Sequence, residues 1–83
     1  MNLEILRRDL TKADARVREG ERHILHQQQI VDKLENHGHD AALARQLLGT
    51  FLELQVTHQA DRDRIANEIA AEESMPRRAR RHH

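Results

Sequence analysis

The chain has 83 residues with one aromatic side chain (Phe51), no Trp, Tyr or Cys, one Pro and three Gly; 34% of it is charged. That length holds one small domain, and the scarcity of turn residues argues against an all-β sandwich or barrel. Fourteen basic and fourteen acidic residues cancel, but four of the basic ones, Arg77, Arg78, Arg80 and Arg81, fall in the last seven positions, so a body near −4 precedes a tail near +4.

Without cysteine there is no disulfide framework and no thiolate zinc site, which fits a reducing compartment. The opening Met1-Asn2-Leu3-Glu4 does not read as a signal peptide, and no apolar run reaches the ~20 residues of a membrane-spanning helix. A cytoplasmic, helix-rich interaction protein without membrane contact is the expectation.

The first element is read from a heptad. Leu3, Leu10, Val17, Ile24 and Val31 recur every seven residues, and Leu6, Ala13, Gly20, Gln27 and Leu34 follow at an offset of three. Alternating steps of three and four put these ten positions on one narrow face of a helix over about 2–36. Ile5, Leu25 and Ile30 stand outside that face and widen it toward what a bundle helix needs. Gly20 is a poor mid-helix residue, costing ~1 kcal/mol relative to Ala. It reads either as a tolerated defect or as a notch that admits a bulky side chain or a close crossing.

The pattern stops at Asn36-His37-Gly38-His39-Asp40. Gly38 suits the left-handed position after a helix, and Asp40 suits the N-cap of the next one. So short a connection makes the two helices antiparallel neighbours. The second helix is expected over about 40–74, with an apolar stripe of Ala41, Ala44, Leu47, Leu48, Phe51 and Leu54 thinning to Ile65, Ala66, Ile69 and Ala70. Asp61-Arg62-Asp63-Arg64 reads as a solvated face with i, i+3 charge pairing. Pro76 ends the helix.

Folding about Gly38 pairs positions that sum to about 76: Leu34 with Ala42, Ile24 with Leu52, Leu10 with Ala66, Leu6 with Ala70, and Gly20 with Val56. Two such rods touch along one line, leaving Ile5, Leu25, Ile30, Leu43, Leu47 and Leu54 uncovered, and a hairpin this small gains little stability alone. The fold class is therefore all-α: a long antiparallel helical hairpin over 1–76 that homodimerises into a four-helix bundle or coiled-coil assembly. A basic, disordered tail over 77–83 follows. Leu10, Val17, Ile24, Val31, Leu47, Phe51, Leu54 and Ile65 are the expected core and dimer residues, with Gly38 and Asp40 making the turn.

Seven histidines raise the question of metal. His23 and His26, at i, i+3, are the weak candidates, with Glu53 across the hairpin as a third ligand. No complete ligand motif appears, and surface histidines explain the set, so no metal or cofactor is expected. His58, beside the stripe, and Gln27, within it, read as polar residues that set register; His58 facing its symmetry mate would instead be a pH-sensitive contact. No nucleophile sits beside a base and no Gly-rich phosphate loop is present, so an enzyme is not expected.

The tail is the one segment suited to a polyanion. Arg77, Arg78, Arg80 and Arg81 would bind nucleic acid weakly and with steep salt dependence, without an aromatic side chain to stack on bases. The plainer readings are a solubilising terminus or an arm docked on an acidic neighbour.

Glu21-Arg22-His23-Ile24, Leu34-Glu35, Gly38-His39-Asp40, Phe51 and His58 with Asp61-Arg62-Asp63-Arg64 resemble a group of short bacterial proteins of unassigned activity, over about residues 10–70. That resemblance implies a helical hairpin and no particular chemistry. In outline the chain is also similar to ROP, a helical-hairpin dimer that binds RNA. No ROP motif aligns, so none of its contact residues carries over, and shared architecture is weak warrant for function. The expected function is a homodimeric interaction protein, with a ROP-like nucleic-acid binder as the alternative and histidine-based metal binding as a minor one.

Overall fold

The computed structural model describes residues 2–75. It holds two antiparallel helices, α1 (Leu3–Asn36) and α2 (Ala42–Ser74), and no strand among the described residues. No helix among them is long and apolar enough to cross a membrane. The expected basic tail, with its four arginines, lies outside the described residues.

The helix ends follow from local chemistry. Asn2 caps α1, its Oδ1 accepting from Glu4 N at 2.7 Å. At the other end Gly38 takes φ 71°. It donates its N–H to Glu35 O at 3.1 Å while His39 donates to Leu34 O at 2.8 Å. This pair of bonds is the Schellman closure, which satisfies two carbonyls the helix would leave bare.

The start of α2 differs from expectation by one position. Ala41, not Asp40, is the N-cap residue, since its carbonyl accepts the first helical bond from Arg45 at 2.8 Å, and its methyl group has no acceptor with which to cap. Asp40 still does capping work from one residue upstream: its Oδ1 accepts from Ala42 N at 2.9 Å. The carboxylate thus reaches a first-turn amide as an Asx turn does.

Along α1 the seam runs as the heptad predicts. Leu6, Ala13, Val17, Gln27 and Val31 are buried, with Leu3, Leu10, Gly20, Ile24 and Leu34 half-buried. The seam of α2 follows the same spacing: Ala41, Ala44, Leu48, Phe51, Ile65 and Ile69 belong to the expected apolar stripe, and Gln55, His58, Arg62 and Glu72 complete it as residues that apolarity does not mark. Leu47 and Leu54, expected in that stripe, stand outside the seam at 44% and 49% exposure. Each lies one step short of a seam position, which turns it to the edge of the hairpin.

Near the open end the expected facing of Leu6 and Leu10 by Ala70 and Ala66 is also displaced. Those alanines are exposed, and Ile69 and Ile65 cluster with Leu6 and Ala13, with Leu3 and Leu10 packed alongside. A one-residue rotation decides this, because branched Ile side chains fill the seam opposite Ala13 where Ala would leave a void. The Asp61–Arg64 run pairs differently from the i, i+3 expectation: Arg62 bonds Asp63 at 3.2 Å and Arg64 bonds Glu68, one turn on, at 3.0 Å.

Two glutamines cross the seam in opposite directions. Gln27 of α1 donates its Nε2 to Ala44 O at 3.0 Å, and Gln55 of α2 donates its Nε2 to Val17 O at 2.9 Å. A helical carbonyl keeps a second lone pair after its ladder bond, so each amide finds an acceptor without breaking the partner helix. Gln55 fills the notch at Gly20: a Cβ there would collide with Gln55 Oε1. The expected neighbour, Val56, is exposed instead.

Candidate interaction surface

A two-helix layer has two broad edges, and the heptad assigns residues to each. One edge carries Arg7, Glu21, Leu25, Gln28 and Glu35 from α1 and Arg45, Leu52, Val56, Gln59 and Glu73 from α2. Ion pairs join the helices at both ends of it: Arg7 to Glu73 at 3.3 Å and Arg45 to Glu35 at 3.4 Å. All four side chains are about half exposed, so each pair contributes about 0–1 kcal/mol and chiefly aligns the helix ends. Between them lies a groove of about 550 Å³ lined by Ile24, Leu25, Leu52, Gln55, Val56 and polar neighbours.

The opposite edge changes character along its length. On α2, Leu47, Leu54, Asp61 and Glu68 follow one another at intervals of seven, and on α1 so do Asp9, Arg16, His23 and Ile30. The half near the turn is thus apolar and the half near the open end charged. Asp9, Lys12, Arg16, Asp61, Arg64 and Glu68 line a cleft of about 350 Å³ over Leu6 and Ile65. In the turn half, the His23 ring lies against Phe51, with centroids 5.7 Å apart and planes tilted by 38°.

The same division holds for the whole rod. Residues 2–19 and 59–75 carry sixteen charged side chains, and residues 20–58, slightly more numerous, carry eight. Of the large apolar side chains left exposed, Leu25, Leu43, Leu47, Leu52, Leu54 and Val56 belong to the turn half, against Ile5 and Met75 in the open half. Leu43 is 81% exposed. Among the described residues no third element covers these side chains.

The other predicted site residues take plain places. Val17, Val31 and Ile65 are buried in the seam, while Leu10, Ile24 and Phe51 line it half-buried. His23 and His26 are both exposed. Phe51, not Glu53, meets His23 across the hairpin. Among the described residues no three His, Cys, Asp or Glu side chains are grouped to hold a metal ion. His58 is half-buried on the seam. Gln55 escapes a reading based on apolar residues, but extending the spacing from Ala41 and Leu48 by seven lands on it.

No family model, curated protein or solved structure matches the chain.

Proposed function

We propose that the protein is a non-enzymatic interaction module, a helical hairpin that homodimerises through the apolar half of its rod. The observation that carries this reading is the presence of six exposed Leu and Val side chains in the turn half, with Leu25, Leu52 and Val56 on one edge and Leu47 and Leu54 on the other. An isolated soluble rod gains nothing from concentrating them there, whereas a partner surface removes them from water at about 25 cal/mol per Å². A second copy is the simplest partner, because a two-fold axis lays the same patch on itself.

Light scattering at micromolar concentration should return about twice the 9.7 kDa chain mass. A well-folded monomer under those conditions overturns the reading. Leu47→Glu sharpens the test: Leu47 is already half exposed, so the hairpin tolerates the carboxylate, while a dimer would have to bury it unpaired. Helicity should survive and the mass should fall to that of one chain.

A nucleic-acid-binding function remains the alternative. It rests on the charge division of the sequence, since the four tail arginines are the only strongly basic cluster.

A further inference from the structure

Three consecutive seam positions of α2 carry polar side chains: Gln55, His58 and Arg62 follow one another between Phe51 and Ile65. Gln55 is tied to α1 through Val17 O. His58 and Arg62 are half-buried and have no such tie, and Arg62 turns its guanidinium to Asp63 of its own helix at 3.2 Å. Among the described residues, no hydrogen bond or ion pair runs from α2 to α1 over positions 56–64.

This stretch divides the contacts of the rod. Toward the free ends, Leu6, Ala13, Ile65 and Ile69 pack as one buried cluster, with Leu3 and Leu10 alongside. Val17, Val31 and Ala41 are also buried but stand outside that cluster. On the turn side the helices are joined by the Gly38 closure, the Asp40 turn, the bonds of Gln27 and Gln55, and the Arg45–Glu35 pair. Cooperativity passes between side chains that touch, so a polar stretch without a cross-helix bond is where it is weakest.

Topology then selects the half that gives way first. Parting the arms 3–17 and 58–74 frees two chain ends. Melting the turn half while the arms stay paired would leave a long closed loop, which recovers less conformational entropy. Arms of about 15 residues are marginal as isolated helices in water, so parted arms lose their helical bonds as well.

We propose that the hairpin opens in two steps, its free-end half parting as a unit at the Gln55–Arg62 stretch while the turn half stays closed. The partly open rod bares Leu3, Leu6, Leu10, Ile65 and Ile69 at one end. The seam lies within a single chain, so this device does not rest on the dimeric reading.

Amide hydrogen exchange in low urea, followed residue by residue, reads the two steps separately. The slowest amides of the turn half should exchange about tenfold or more slower than the slowest amides of the arms. Val31 is 2% exposed. Val31→Ala should speed the turn-half amides about tenfold and leave the arms unchanged, because the arms open without breaking the contacts of Val31. Leu6→Ala should speed both halves, since complete opening includes loss of the arm cluster. A rod that opens in one step would show the slowest amides everywhere speeding equally in both variants, and that result overturns the proposal. So does the reversed pattern, with Val31→Ala speeding both halves and Leu6→Ala sparing one. Replacing His58 and Arg62 together with Leu should close the polar gap and slow exchange in the arms toward that of the turn half. An undiminished difference between the halves, in a double variant of unchanged helicity, would overturn the placement of the joint.

Discussion

The Gln55 carboxamide occupies the space that a side chain at Gly20 would need. Its Nε2 is held by Val17 O at 2.9 Å, which leaves Oε1 lying over the Gly20 backbone, buried and without a conventional hydrogen-bond partner. The Cα–H of a glycine is a weak donor that a carbonyl oxygen can face at close range. The glycine and the glutamine are thus one feature: the notch exists for the amide, and the amide fixes which levels of the two helices meet.

Substituting Gly20 with Ala separates this account from simple helix propensity. Propensity alone predicts a gain of ~1 kcal/mol. The lock predicts a loss of about 1–3 kcal/mol, because the new methyl must displace Gln55 and strand its amide. In a Gln55→Ala background the same Gly20→Ala change should become stabilising. Thermal or urea unfolding of the four proteins gives the coupling, and additive effects would show that the two residues act independently.

The second glutamine carries a milder expectation. Gln27→Ala removes the bond to Ala44 O and leaves that carbonyl with its ladder bond, so the loss should be about 1 kcal/mol. A change below about 0.3 kcal/mol in urea unfolding would show that this cross-helix bond gives no net stability.

These glutamines also mark where the sequence stops being readable. On α1 the seam holds Leu, Val, Ile and Ala at nearly every position, so apolarity and periodicity point the same way. On α2 they diverge. Its seam includes Gln55, His58, Arg62 and Glu72, while Leu43, Leu47, Leu52, Leu54 and Val56 lie off it. Apolar residues chosen by type therefore catch Ala41, Ala44, Leu48, Phe51, Ile65 and Ile69 but also take in Leu47, Leu54, Ala66 and Ala70, each one position off the seam. The turn was legible because Gly38 and Asp40 act through local backbone chemistry. The charged open half against the apolar turn half follows from the same fold about Gly38, whereas the two cross-seam amides, each bonded to a backbone carbonyl of the other helix, do not show in apolar periodicity.

The turn gives an independent stability prediction. No atom lies within 4 Å of where a Gly38 Cβ would point, so a substitution there meets no clash and its cost is conformational. At φ 71°, Gly38→Val should lose about 1–2 kcal/mol, since a β-branched residue resists the left-handed region. Gly38→Asn should lose less, because Asn tolerates that region. Equal melting temperatures for the wild type and the Val variant would contradict the closure described here.

The nucleic-acid alternative is tested by deleting residues 77–83. Those residues hold Arg77, Arg78, Arg80 and Arg81. The body they leave behind is near −4 and repels phosphate, so nearly all favourable long-range electrostatics resides in the deleted segment. Fluorescence anisotropy with short DNA and RNA duplexes and single strands, at low and moderate salt, compares the full chain with the truncated one. Weak, sequence-indifferent binding that vanishes on truncation is the expected upper limit. Its salt slope should reflect the few phosphates that two tails of a dimer can neutralise. Equal binding by both proteins would move the contact to the helix faces around Arg7, Arg8, Arg16 and Arg18, all in the charged open half. Circular dichroism and light scattering on the truncated chain should match the full chain, since every seam residue and the turn lie before residue 76. Absence of binding by the full chain at low salt removes the alternative and leaves a protein surface, the apolar turn half, as the functional one.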